Sequence, residues 1–260
     1  MYQGKYAQAE QLIQRALTIK EHFLGPEHPD VGDLLNNLAQ IHRSQGRYIQ
    51  AESLIQRALT IKEHSLGPEH PHTGFALNEL ALLYREQGKR EQAEPLFQRA
   101  LTLIEHALGP EHPFTGIILS NLAFLRQEQG QYTQSGPLLQ RALSIKEQSY
   151  GPDHPSTAET LNKLAQLYRE QGQYAQAEPL VKRALAIREE RSGSEHPSTA
   201  TTLVNLALLY SEQGQYTQAE PLLQRALAIR EQVLGPEHPH TIAVAENYAD
   251  LQRKMKSNSL

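Results

Sequence analysis

The chain contains no cysteine, which excludes disulfides and thiolate-held metals. That absence fits a reducing compartment, and a cytoplasmic location is expected. An excess of positive charge is also missing: the net charge is -4 and the isoelectric point near 6.3. The chain therefore carries no electrostatic footprint for nucleic acid. No apolar run approaches the roughly 18 residues a membrane span needs, and no charged-then-apolar leader opens the chain. Period-two strand patterning, a phosphate-cradling glycine loop and a Ser-His-acid order are absent as well. From sequence, then, no enzyme, cofactor, metal site, nucleic-acid partner or membrane contact is expected.

What is present is repetition. Gly25, Gly67, Gly109, Gly151, Gly193 and Gly235 stand 42 residues apart, and each opens a version of Gly-Pro-Glu-His-Pro. A second constant block lies between them, as in Leu77–Gly88. Self-similarity at such a period marks a stacked array whose members bury their cores against neighbours.

One period reads as two helices. Pro71 suits a first helical position, where a missing N–H costs nothing. Leu77, Leu80, Ala81 and Tyr84 form a helical stripe, and Gly88 ends it as a left-handed cap. A second stripe of Ala93, Leu96, Phe97, Ala100, Leu101 and Ile104 stops at Gly109-Pro110. The spacing predicts a first helix (A) of about 17 residues and a second (B) of about 19, each roughly 25–30 Å long. Ala81 and Ala93 are small where the two must approach. The expected architecture is all-α: a right-handed superhelical α-solenoid of antiparallel pairs, about twelve helices in a single domain over 1–260. It divides into a half repeat (1–24), repeats at 25–66, 67–108, 109–150, 151–192 and 193–234, and a terminal half repeat (235–260).

At Leu35–Ala39, Gly46-Arg47-Tyr48, Ala51 and Ala58 the pattern resembles the tetratricopeptide repeat. The 42-residue period and the Leu-Gly-Pro-Glu-His-Pro loop resemble most the kinesin light chain type and its bacterial relatives. The resemblance implies a scaffold that binds a peptide or partner protein in a concave groove lined by A helices. Departures occur at His42 and Arg126, which stand where Tyr84, Tyr168 and Tyr210 stand elsewhere. Others are Arg90 for a turn tyrosine, Ser135-Gly136 for Ala-Glu, and Ser192 and Ser194 around Gly193.

The helical period assigns the groove-facing positions. The candidate peptide-binding residues are Asn36, Asn37 and Arg43; Phe75, Asn78, Leu82 and Arg85; Ile117, Asn121 and Phe124; Asn162 and Arg169; Asn205 and Leu208. An asparagine amide offers two donors and two acceptor lone pairs, which suits a peptide backbone of any sequence; the bland alternative is asparagine tolerated on a wet face. Phe75, Leu82, Ile117 and Phe124 make part of that face unusually apolar, unless tight packing buries them. The histidines that recur once per repeat, His28 to His238, read as turn caps rather than metal ligands, because helix spacing holds neighbours roughly 10 Å apart.

Three further expectations concern the chain's ends and stability. The start falls inside a repeat, and its simplest reading is a missing first helix. An alternative function is the C-terminal sensor arm of a larger signalling ATPase or regulator. The two half repeats could also join head to tail between copies, through Ala9, Leu12, Ile13, Ala16, Leu17 and Ile19 at one end and Val244, Ala245, Tyr248 and Leu251 at the other. Finally, Gly32, Gly74 and Gly116 in early helical turns are expected to weaken the first half, each by roughly 0.5–1 kcal/mol.

Overall fold

The computed structural model describes residues 2–258, with side chains from Tyr6 onward. Among the described residues there are twelve helices and no strand. They are α1 (Tyr2–Leu24), α2 (Pro29–Ser44), α3 (Tyr48–Leu66), α4 (Pro71–Glu86), α5 (Arg90–Leu108) and α6 (Pro113–Glu128). Then follow α7 (Tyr132–Tyr150), α8 (Pro155–Glu170), α9 (Tyr174–Arg191), α10 (Pro197–Glu212), α11 (Tyr216–Leu234) and α12 (Pro239–Asn258). The all-α array of paired helices expected from the period is what forms, with A helices of 16 residues from α2 to α10.

Each A helix starts the same way. The Nδ1 of His28, His70, His112, His154, His196 and His238 accepts the backbone N–H two residues on, at 3.1–3.2 Å. This satisfies one of the four orphan donors at a helix start. The turn-capping role read from sequence is therefore met in every repeat. A second device was not foreseen: Thr73, Thr115, Thr157 and Thr199 donate their hydroxyls to the carbonyl of the loop glycine six residues back, at 2.8–3.0 Å. Gly67 ends α3 at φ +97°, a conformation only glycine adopts without strain.

The contacts divide the chain into two compact units, Met1–Gln129 and Gly130–Leu260. In the first, α2 packs on α3 and α4 on α5, each pair meets the next, and the A helices α2, α4 and α6 touch in series. Leu77, Leu80, Ala81, Ala93, Phe97, Ala100, Leu103 and Ile104 are all buried. Ala81 and Ala93 lose all exposure, as their small size at the helix contact requires. Each fully buried leucine or phenylalanine contributes roughly 1.5–3 kcal/mol.

Gly74 has a different meaning from the one expected. A Cβ there would lie 2.9 Å from Ile104 Cδ1 and 3.2 Å from Leu103 Cδ2. The glycine admits a large B-helix side chain, so its helix-propensity cost is offset by packing. At Gly32 the nearest atom is Cε of Lys62 at 3.2 Å, the flexible arm of a side chain.

The second unit repeats the plan with α7–α8, α8–α9, α9–α10, α10–α11 and α11–α12 in contact. One core runs from Ala165, Ala177 and Val181 through Leu203, Ala207, Leu223 and Ile229 to Val244 and Leu251 on α12. Val244 and Leu251 are thus consumed by the α11–α12 contact, so they are not the free docking surface expected for head-to-tail joining. On α1, Leu17 is buried, whereas Leu12, Ile19, Phe23 and Leu24 are exposed.

Ion pairs join successive B helices on the outside of each unit. Arg57 meets Glu21 at 2.7 Å and Arg99 meets Glu63 at 2.8 Å in the first. Arg183 meets Glu147 at 2.7 Å and Arg225 meets Glu189 at 2.6 Å in the second. All four pairs are partly solvent-exposed, so each contributes roughly 0–1 kcal/mol. Arg57, Arg183 and Arg225 also donate to a loop carbonyl, of Pro26, Pro152 and Ser194 respectively.

The sequence departures fall on a second periodic contact. The hydroxyls of Tyr84 and Tyr210 donate to Glu52 and Glu178 on the preceding B helix, at 3.0 and 3.2 Å. Arg126 keeps the contact as an ion pair with Glu94 at 2.6 Å, and His42 approaches Glu10 at 3.8 Å. In α7 the glutamate position is Gly136, and the Tyr168 hydroxyl instead accepts from Gln140 Nε2 at 3.0 Å. Beside it, the fully buried Ser135 hydroxyl has no partner.

Candidate functional site

The A-helix face of each unit gathers the candidate residues. In the first unit its character is aromatic. The Phe75 and Phe114 rings meet edge to face with centroids 4.2 Å apart, and His72 lies 5.5 Å from Phe75. Edge-to-face pairs suit the ring quadrupoles. Phe75, Leu82, Ile117 and Phe124 all remain partly exposed, so packing does not bury the patch. The Arg85 guanidinium sits 4.8 Å above the Phe124 ring, and burial pushes its pKa down despite Glu128 and Glu86. Phe114 was not among the residues expected here; it occupies the position of His72 one period earlier, and only the contact with Phe75 marks it.

The asparagines differ from one another. Asn78 is 2% exposed; its Nδ2 donates weakly to Glu79 Oε1 at 3.4 Å and its Oδ1 accepts from Asn121 Nδ2 at 3.0 Å. Asn37 is exposed. Asn36 is buried with an Oδ1 that has no hydrogen-bond partner. In the same unit Arg43 is held by Glu79 at 3.0 Å and Glu86 at 3.6 Å, and Gln40 adds a contact to Glu79.

In the second unit the same face is more polar. Asn162 Nδ2 donates to Thr202 Oγ1 at 2.7 Å, while that hydroxyl donates to the Ser198 carbonyl at 3.2 Å. The chain of donors fixes the amide orientation and leaves Asn162 Oδ1 as a buried acceptor without a donor. Arg169 pairs with Glu212. Asn205 lines a small cavity with Gln166 and Arg169, and Leu208 is partly exposed.

Basic side chains from the B helices reach this face too, at positions 20, 62, 146, 188 and 230, with Ile104 completing the row. Lys62, 1% exposed, pairs with Asp33 at 2.6 Å. Arg230 donates to Thr201 at 2.5 Å. None of these cations was among the candidate residues, although the 42-residue row was present in the sequence. No cluster of three or more metal-ligating side chains occurs among the described residues. No helix there is long and apolar enough to cross a membrane.

The tetratricopeptide repeat family model matches residues 1–64, 30–106, 75–125, 114–190, 172–232 and 198–258. No curated protein matches the chain. Among solved structures, BtubC (BKLC) from P. vanneervenii has a TM-score of 0.71 at 24% identity, over 91% of this chain and 92% of that one. A Podosopora anserina protein described by its nearly identical kinesin light chain TPR-like repeats has a TM-score of 0.65 at 28% identity. It covers 80% of this chain and 98% of its own. The APC/C hetero-tetramer Cut9–Hcn1 shares the fold at a TM-score of 0.69 and 17% identity, over 94% of this chain and 40% of that one. Arrays of this kind are generally protein-interaction scaffolds that bind along an extended face. With six overlapping matches spanning nearly its whole length, the chain belongs to the tetratricopeptide repeat family.

Proposed function

We propose that the chain is a non-enzymatic scaffold whose A-helix faces take an extended peptide or partner segment. The observation that carries this reading is the apolar patch of Phe75, Leu82, Ile117 and Phe124, which stays partly exposed on the A-helix face of the first unit. The patch is an apolar seat beside the amides. An unpaired buried polar atom costs roughly 1–3 kcal/mol; the Asn36 and Asn162 Oδ1 atoms are such acceptors, and a peptide N–H reaches them only after the amide turns outward. Asn37, Arg43, Asn78, Arg85, Asn121, Arg169, Asn205 and Leu208 complete the surface. Those already engaged within the protein orient it rather than grip the ligand. The sensor-arm alternative gains no support from the family match or the solved neighbours.

Selection of a degenerate peptide library on the folded chain tests the reading. Asn162→Ala and Phe75→Ala should each weaken the selected peptides by about tenfold, the scale of one lost interaction of about 1.4 kcal/mol, with helicity unchanged. Ligands that map to the outer faces of the B helices would sink it.

A further inference from the structure

The second unit holds three cations around one carboxylate. Lys163 Nζ lies 2.7 Å from Glu159 Oε1. Lys146 and Arg188 also stand close enough to act on that carboxylate: together the three cations hold Glu159 below the usual carboxylate range against the opposing effect of burial. Yet no acid pairs with Lys146 or Arg188 among the described residues. Lys146 is 3% exposed; burial lowers its pKa, Glu159 opposes that, and Lys163 and Arg188 push it down further. The Nε of Arg188 is buried with no acceptor, and burial draws the guanidinium down as well. Lys62, at the equivalent position of the first unit, pairs with Asp33 at 2.6 Å, and the His72 ring lies 3.7 Å from the same oxygen. At Arg188 the equivalent acid is Glu159, and it is already taken by Lys163.

Three positive charges against one negative leave a surplus of two in a largely desolvated place. Buried charge without a counter-charge is costly, so the site favours an anion from outside. A carboxylate supplies one charge. A phosphoryl group carries close to two at neutral pH and offers three acceptor oxygens, enough for two ammonium groups and the planar fork of an arginine. We propose that Lys146, Lys163 and Arg188 form a binding site for the phosphoryl group of a phosphoserine or phosphothreonine in a partner segment. This rests on the reading of the A-helix face as a peptide-binding surface. Glu159, with its side chain 51% exposed, is a competing internal anion at the edge of the site.

The test uses the full chain and three short degenerate peptide libraries, alike except for a central serine, glutamate or phosphoserine. The best binder of each is titrated by calorimetry. The phosphoserine peptide should bind at least about tenfold more tightly than its serine twin, a gap of about 1.4 kcal/mol. Arg188→Gln should erase that gap. Glu159→Gln, which removes the competing anion without touching the core, should tighten phosphoserine binding several-fold and leave the serine peptide unaffected. Circular dichroism of both variants should match the parent. A glutamate peptide equal to the phosphoserine peptide, or a Glu159→Gln variant that does not gain, overturns the proposal. Serine, glutamate and phosphoserine peptides that bind alike overturn it while leaving the peptide-binding surface standing. If no library yields a binder, both readings fall.

Discussion

The two units are built on one 42-residue plan, and they differ on the same face. In Met1–Gln129 that face carries Phe75, Leu82, Phe114, Ile117 and Phe124, and the buried Lys62 is paired with Asp33. In Gly130–Leu260 the positions matching Phe75, Leu82 and Phe114 carry Glu159 and Thr201, Gln166 and Leu208, and Ser156 and Ser198, while the basic row that includes Lys62 continues as Lys146, Arg188 and Arg230, with one contested carboxylate. An array's fold depends on the stripe between helices and is indifferent to the other face. The plan therefore tolerates an aromatic surface in one unit and a cationic one in the other without altering a helix boundary.

The largest test of the comparison lies in the cores. Phe97 is the bulkiest residue at its repeat position, which in the second unit holds Leu139, Val181 and Leu223. Phe97→Ala should cost about 3–5 kcal/mol and Val181→Ala clearly less, because fewer buried atoms are removed. Denaturant unfolding with hydrogen exchange, which resolves local stability in an array, should show the first loss confined to Met1–Gln129. Equal losses in both units would remove the distinction.

Next in size is Gly74→Ala. Helix propensity alone makes it stabilising; the 2.9 Å approach to Ile104 makes it an overpacking change costing about 1–3 kcal/mol. The reverse change in the second unit, Ala200→Gly, should cost roughly 0.5–1 kcal/mol through backbone entropy. A thermal melt in which Gly74→Ala raises the midpoint would show that the Ile104 side chain moves aside freely.

Gly136→Glu should stabilise the second unit by about 1 kcal/mol, from recovered helix propensity and a hydrogen bond for Tyr168. Repeating it with Tyr168→Phe in place separates the two parts, and a gain that survives intact belongs to propensity alone.

The smallest effect is on pH dependence. Burial lowers the pKa of His42 from its ordinary 6.5, aided by Arg47 and opposed by Glu10. The unfolded chain therefore takes up a proton at a higher pH than the folded one. Stability is full above about 6.5 and declines as pH falls from there toward the folded value. His42→Tyr, which restores the residue found at 84, 168 and 210, should flatten that limb of the first unit's pH–stability curve. Acid sensitivity unchanged in the variant would place its origin elsewhere.

Much of this was legible in the sequence, and for a definite reason. Helix limits, glycine ends and histidine caps recur at a fixed phase, so six imperfect copies agree on each. The roles of Asn78 and Arg43 were not legible in the same way. Periodicity placed both on the A-helix face, but whether an amide is spent on Asn121, or a guanidinium on Glu79, depends on the neighbouring repeat's side chains. Lys146, Arg188 and Arg230 were missed because basic residues in the last turns of a helix already have an ordinary explanation in the helix dipole. Only the three-dimensional register brings their long arms to the other helix's face.

The outer Arg–Glu pairs have a consequence for how such a chain can change. Arg183 finds Glu147 and Arg225 finds Glu189, each 36 residues back. Cut out 42 residues at the loops and Arg225 would arrive where Arg183 had been, facing Glu147 with the same reach. What each arginine recognises is a phase within the period rather than an individual neighbour. Unequal recombination between copies would then lengthen or shorten the array by whole periods without breaking a joint, and would change the order in which its A-helix faces are presented.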